Sequence, residues 1–236
     1  MVHEKQRKNY NNTLQYNGQA FADKFVLNCS GFKKNGYFLE LGSRDPKITN
    51  NSYILEKEFG WTGFLIDREQ TYELDYKTIR TNSIPVIKDA TKIDYKNLFK
   101  QYNVPSNLDF WQLDLEVRDN TALKTLIKID NEILDEYKFA IVTMEHDVYT
   151  GLQTSIDTRI ESRKILEARG YYLVFSDILD PPDVCIDYPY EDWWVHPELV
   201  DMGYITQLQM KNRDKYMKVN TKVGAIDCFK SYEIEY

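Results

Sequence analysis

Carboxylates recur along this chain where apolar runs stop. Glu40 sits inside Tyr37-Phe38-Leu39-Glu40-Leu41, and Asp67 closes the run Thr62 to Ile66. Asp89 follows Ile84-Pro85-Val86-Ile87, Asp114 and Glu116 close Asp109 to Leu115, and Glu145-His146-Asp147 follows Phe139 to Met144. An acid ending a second strand, after a Gly-containing turn, is placed to accept hydrogen bonds from a ribose diol, which is the chemistry expected of Asp67. Glu40, near the end of the first strand, suits a ligand with a cationic end. Asp114 on one strand and Glu145 with His146 on its neighbour can converge on a hard octahedral cation such as Mg²⁺ or Mn²⁺, or can hydrogen-bond loops or a bound ligand.

The histidines number three: His3, His146 and His196. His3 lies in the polar first segment. His146, beside three carboxylates, is placed as a proton acceptor or a metal ligand. His196 either lies over a pocket or is a surface residue before Pro197. Trp193 and Trp194 would face opposite sides if their segment is a strand, and both could line an acceptor cleft if it is a loop bounded by Pro189 and Pro197. Arg159 and Arg163, four apart on one helical face, pair either with an anionic acceptor or with Glu145 and Asp147.

The elements that must position these groups follow from periodicity. Tyr37 to Leu41 reads as a buried strand and Gly42-Ser43-Arg44-Asp45-Pro46 as a loop. Ser52 to Phe59 reads as a helix stopped by Gly60-Trp61, and Thr62 to Ile66 as the next strand. One glycine in the turn leaves the GxGxxG pattern incomplete. Strands over Ile84–Ile87, Asp109–Leu115, Phe139–Met144 and Tyr171–Phe175 alternate with helices over Glu69–Thr78, Tyr95–Tyr102, Thr121–Ile127 and Asp157–Arg169. A helix over Ala20–Leu27 precedes the first strand, and Val184-Cys185-Ile186 is the candidate last strand. This alternation predicts a doubly wound α/β sheet, whose ligands bind beyond the carboxyl ends of the strands. Residues from Gln207 onward are polar and show no clear period.

With 236 residues the chain suits one domain, and 29 Tyr and Phe with 4 Trp supply large apolar surfaces. A net charge of −7 without a basic stripe argues against nucleic acid as the main partner. No apolar run reaches membrane-spanning length, and Met1 to Asn12 has no signal-peptide character. Cys29, Cys185 and Cys228 are too few and too scattered for a disulfide framework or a zinc cluster, so a reducing, cytoplasmic setting is expected.

Several short runs, in order, resemble the FkbM-type methyltransferases, class I enzymes that use S-adenosylmethionine. They are Asp23-Lys24-Phe25-Val26-Leu27, Gly36 to Ser43, Asn51-Ser52-Tyr53-Ile54-Leu55-Glu56, Gly60-Trp61-Thr62-Gly63-Phe64, Leu113-Asp114-Leu115-Glu116, Met144-Glu145-His146-Asp147, Arg169-Gly170-Tyr171 and Glu191 to Pro197. The resemblance covers roughly residues 16 to 200. It implies a Rossmann-like, doubly wound seven-stranded sheet, with residues 1–17 a polar tail and 18–236 a single domain carrying an aromatic and polar C-terminal extension. It implies a donor site in which Glu40 neutralises an ammonium or orders the loop. Gly42 and Ser43 would pass the methionyl tail, Asn51 and Ser52 would open the next helix, and Asp67 would hold the ribose. Asp89 and Ala90 would read the adenine. Asp114 and His146 are the expected catalytic groups, and Asp114, Glu145 and His146 the expected Mg²⁺ or Mn²⁺ ligands, by likeness to metal-dependent O-methyltransferases. Trp193, Trp194, His196 and Arg159 are the expected acceptor contacts. The implied acceptor is a hydroxyl of a saccharide or glycan precursor. Two rivals stand beside it: a nucleic-acid ribose methyltransferase, and a non-catalytic module of the same fold.

Overall fold

The computed structural model describes residues 4–179 and 188–236. Two helices, Glu4–Thr13 (α1) and Ala22–Cys29 (α2), precede the sheet. Then Tyr37–Leu41 (β1), Tyr53–Phe59 (α3), Thr62–Asp67 (β2), Glu73–Ile79 (α4), Ile84–Ile87 (β3), Tyr95–Gln101 (α5), Asn107–Leu113 (β4), Thr121–Glu132 (α6) and Lys138–Glu145 (β5) alternate without a break. Gln153–Ala168 (α7), Tyr172–Leu179 (β6), Pro189–Val195 (β7), Met202–Asn212 (α8), Tyr216–Thr221 (β8) and Gly224–Lys230 (β9) complete the chain.

The strand order is β3-β2-β1-β4-β5-β7-β6-β9-β8. β1 to β5 run parallel, and β7 runs antiparallel to both of its neighbours, β5 and β6. This is the doubly wound order 3-2-1-4-5-6 with one reversed strand inserted before the sixth. The order reverses between β1 and β4, so a crevice opens at the carboxyl ends of those two strands.

Helices cover both faces, which is why the strands read as continuous apolar runs rather than alternating ones. Phe25 and Val26 of α2, Leu55 of α3 and Ile205 of α8 pack on one face. Phe99 of α5, Leu126 of α6 and Leu166 of α7 pack on the other. Gly60, in the left-handed region at φ 69, caps α3 by donating to the Glu56 and Leu55 carbonyls.

Three expectations change. The sheet has nine strands rather than seven, because β8 and β9 form a hairpin that adds to β6. Only Val219 and Cys228 of that hairpin are buried, with Leu179, so its period-2 signal is too thin to read. The polar stretch 1–17 contains α1, which is docked. Arg7 lies over the Tyr204 ring at 3.7 Å and donates to the Asn28 carbonyl, and Tyr10 stacks on Phe32 at 4.6 Å. The segment expected as a possible aromatic loop, Tyr188 to Pro197, contains the buried strand β7. The candidate strand Val184-Cys185-Ile186 and His3 lie outside the described residues. Among the described residues no helix is long and apolar enough to cross a membrane.

Candidate active site

A cleft of about 570 Å³ lies over the carboxyl ends of β1 to β5, lined among others by Gly42, Asp67, Asp89, Ala90, Asp114 and Asp147. Gly42 is needed there for two reasons. Its φ is +86, and a Cβ at that position would fall 1.7 Å from the Asp114 carbonyl oxygen. The ends of β1, β2 and β4 are stitched at this point: Gly42 N–H donates to the Ile66 carbonyl at 2.9 Å, and Asp114 N–H to the Leu41 carbonyl at 3.0 Å.

Asp67 ends β2 in the cleft wall. One of its oxygens accepts from Arg44 N–H at 2.7 Å and the other from Glu69 N–H at 2.8 Å. A carboxylate has about four lone-pair sites, so roughly two remain to accept from a diol. Asp89 and Ala90 follow β3 on the next wall. The Asp89 carboxylate is committed locally, accepting from Thr91 N–H and its hydroxyl at 3.0 and 2.7 Å and pairing with Lys92 at 2.9 Å. Lys92 first, then Thr91, holds its carboxyl down at about 2. Its carboxylate is thus a turn cap, while the residue itself lines the wall.

Glu40, Ser43, Asn51 and Ser52 are buried and are not among the residues lining the cleft. Glu40 accepts from Asn51 N–H at 3.1 Å and from the Ser52 hydroxyl. Ser52 Oγ in turn accepts from Arg80 at 2.7 Å. Arg80, 1 % exposed, also donates to Glu56 at 2.8 Å and to Asn50 Oδ1 at 2.8 Å. Ser43 meets the Tyr76 hydroxyl at 2.8 Å. Burial pushes the Glu40 carboxyl up, and Arg80, Ser52 and Asn51 offset part of this. Of the two roles expected for Glu40, this geometry is that of ordering the loop beneath the cleft.

Asp114, Glu145 and Asp147 bring three carboxyl groups to the cleft from the ends of β4 and β5. Glu145 stands in the middle, in hydrogen-bond contact with Asp114 on one side and Asp147 on the other. Burial raises all three, and for Glu145 the charges of both neighbours raise it further. Glu145 is therefore the last of the three to ionise.

His146 turns the other way. Its ring is fully buried, with Nε2 3.5 Å from Asp177 and 3.5 Å from Asp192. Its Nδ1 accepts from Val148 N–H at 3.2 Å, which assigns the ring proton to Nε2, facing those acids. Asp177 sits at a register shift in β6, at φ 54, and a bulge of this kind re-aims a side chain. Arg159 pairs with Asp177 at 2.6 Å, while Arg163 pairs with Asp192 at 2.7 Å and Asp177 at 2.9 Å. The expected catalytic and metal-ligand roles of His146 are thus corrected, since alternation along the strand end sends it away from Glu145. The set Asp114, Glu145 and His146 does not converge and does not fit Mg²⁺ or Mn²⁺. Among the described residues, the group with ligand atoms close enough for a cation is His146, Asp177 and Asp192. There the two arginines already neutralise the two acids, so a divalent ion would add charge beside two guanidinium groups.

The acceptor contacts are corrected too. Trp193 and Trp194 are both fully buried, one on each face of the sheet, because β7 is central and helices cover both sides. Trp193 Nε1 donates to Glu191 at 2.6 Å. His196 N–H donates to the Ala140 carbonyl at the amino end of β5, five residues or about 16 Å from the cleft end of that strand. Arg159 is held by Asp177. Arg44, Arg80 and Asp177, which no motif in the sequence singles out, hold the cleft wall and the charged groups beneath it. The spacing of Arg159 and Arg163 gave only a shared face, and the acids they meet are Asp177 and Asp192 rather than Glu145 and Asp147.

No family model matches the sequence, and no curated protein matches it. Among solved structures, the cofactor-bound Rv0187 protein from MTB aligns over 83% of this chain and 81% of its own, with a TM-score of 0.50 and 8% identity. A precorrin-6y C5,15-methyltransferase from Geobacter metallireducens GS-15 aligns over 73% and 86%, with a TM-score of 0.47 and 12% identity. A TehB-like SAM-dependent methyltransferase from Corynebacterium glutamicum aligns over 81% and 95%, with a TM-score of 0.46 and 8% identity. The likeness to the first shows a shared fold, an α/β architecture around a mixed sheet.

Proposed function

We propose that the protein is an S-adenosylmethionine-dependent methyltransferase that methylates a hydroxyl of a neutral, polyhydroxylated acceptor, a saccharide or glycan precursor. The observation that carries this reading is the sequence of cleft walls. Gly42, Asp67 and Asp89-Ala90 follow one another at the ends of β1, β2 and β3, and the carboxyl trio of β4 and β5 lies beside them. Asp67 fits a ribose diol through its unused lone pairs, and Gly42 lets the backbone pass close to a ligand. When bound, S-adenosylmethionine supplies an activated methyl group on a sulfonium.

The chain's own part is to orient the acceptor and take its proton. Asp114 and Asp147, each raised by burial and sharing Glu145 between them, are placed to accept a hydroxyl proton; a histidine is not. Seven acids line the cleft (Asp67, Glu69, Asp89, Asp114, Glu116, Glu145, Asp147) against three bases (Arg44, Arg68, Lys88). That excess attracts a cationic donor and repels a polyanion, which supports a neutral acceptor over a nucleic acid. The FkbM-type motifs support the saccharide class.

The test is calorimetric titration with S-adenosylhomocysteine of the wild type, Asp67→Ala and Asp67→Asn. Wild-type binding in the micromolar range is expected. Loss of two hydrogen bonds to a charged group, about 1.5–3 kcal/mol each, weakens it at least about 100-fold in Asp67→Ala, and Asn retains part of the affinity. A folded wild type that binds no S-adenosylhomocysteine removes the methyltransferase reading.

A further inference from the structure

Beyond the carboxyl trio lies a pair of aromatic rings that the donor site does not use. Tyr149 falls two residues after Asp147, and Tyr188 lies just before β7. Their ring centroids are 4.2 Å apart, with an interplanar angle of 34°. Both residues are half-buried. Asp147 N–H donates to the Tyr190 carbonyl at 3.0 Å, and Thr150 N–H donates to the Asp147 carbonyl at 3.0 Å. These bonds tie the short 3₁₀ turn Val148–Thr150 to the entry of β7, and Tyr149, which packs on one side against the core, lies within electrostatic reach of Asp147 and Glu145. Burial, then the charges of Asp147 and Glu145, pushes the Tyr149 hydroxyl up to about 12, so the ring feels both carboxylates and stays neutral.

Resting on the methyltransferase reading, we propose that Tyr149 and Tyr188 form the acceptor platform: their rings take the apolar CH face of a neutral pyranoside, and Asp147 accepts from one of its hydroxyls. The acceptor role expected of Trp193 and Trp194 falls to this tyrosine pair. An aromatic face gives apolar area without a charge to desolvate, and a neighbouring carboxylate orients a hydroxyl by a charge-assisted hydrogen bond. Anions are disfavoured because the Tyr149 ring lies within reach of the Asp147 carboxylate. A flat base would also stack on tyrosine, but a nucleotide would bring phosphates to the same acids.

The test uses saturation-transfer NMR with a panel of methyl hexopyranosides and, separately, adenosine monophosphate, in the presence of S-adenosylhomocysteine. Protein aromatic resonances are irradiated in the wild type, Tyr149→Ala, Tyr188→Ala, Tyr149→Phe and Asp147→Asn. Transfer to ring CH protons of at least one pyranoside is expected in the wild type. Affinity should fall about three- to tenfold in each alanine variant, fall also in Asp147→Asn, and be retained in Tyr149→Phe, while S-adenosylhomocysteine affinity by calorimetry stays within about twofold in the three tyrosine variants. Transfer to no pyranoside, transfer untouched by both alanine variants, or transfer to the nucleotide alone overturns the platform. If the wild type fails to bind S-adenosylhomocysteine, the donor reading fails instead, so the two failures are told apart.

Discussion

Replacing Arg80 with Met tests whether the loop under the cleft is held by a single buried cation. Arg80 is 1 % exposed and donates to Glu56, Asn50 and Ser52, with a further contact of 3.3 Å to the Pro46 carbonyl. Its guanidinium also lies 5.8 Å from the Phe38 ring centroid and 6.0 Å from that of Tyr53. Methionine fills a similar volume but leaves Glu40 without the buried cation beside it and Glu56 with only the partly exposed Lys57 at 3.6 Å. Breaking a buried pair in this way costs about 3–5 kcal/mol, far more than a surface pair. For a chain of this size that corresponds to a fall in Tm of roughly 6–20 °C. Glu56 keeps donors in Ser83 and in Asn82 N–H, so the cost belongs to the missing charge rather than to a collapsed loop. Adding Glu56→Gln removes one stranded charge and should recover roughly 1–3 kcal/mol, the size of coupling seen between contacting residues. The assay is urea unfolding of wild type, both single variants and the double variant. A single-variant cost below about 1 kcal/mol, or a double variant no more stable than Arg80→Met, refutes the reasoning.

Gly42→Ala combines a left-handed backbone with a Cβ placed against the Asp114 carbonyl, so a loss of at least about 2 kcal/mol is expected in urea unfolding; an unchanged midpoint contradicts the stitched strand ends. Burial pushes the Asp23 carboxyl up to about 6, partly offset by the Asn17, Gly18 and Lys24 N–H groups. The folded state then holds more protons than the unfolded one, so stability falls as pH rises from about 4 to about 6, by roughly 3 kcal/mol. Asp23→Asn should flatten that slope in unfolding curves measured across this range. Burial opposes ionisation of Asp192, but His146 and Arg163 overcome it and hold the carboxyl well below the usual range. Its stabilisation is full above the ordinary carboxylate pKa of about 4 and is lost as pH falls towards the folded value. Arg163→Met should cost about 3–5 kcal/mol near neutral pH and show a shallower acid-side slope than wild type, read by circular dichroism during acid titration.

The order of strands and helices was legible in the chain because apolar runs, glycine stops and helical periods are local. β1, β2 and β5 fall within a residue or two of where their apolar runs lie, and Gly42, Asp67, Asp114 and Glu145 reach the cleft because each is the last residue of a strand or the one just after it. What a side chain does after the strand ends is not local. Glu145 and His146 are neighbours in sequence, yet one enters the cleft and the other meets Asp177 and Asp192 behind it. For Trp193 and Trp194 the sequence leaves open opposite faces of a strand or a cleft-lining loop, and both rings are buried. Burial of both requires that β7 lie between two strands with helices on each face, which is known only once the whole sheet has assembled. Arg80, in the segment after α4, gives no sign in the sequence that it will neutralise acids on β1 and α3, since partners tens of residues apart are chosen by packing. Apolar period and turn chemistry thus determined the scaffold and the row of strand-end acids. The tertiary structure decided which polar groups face the cleft and which neutralise one another beneath it, because burying a charge is tolerable only where the fold brings its partner.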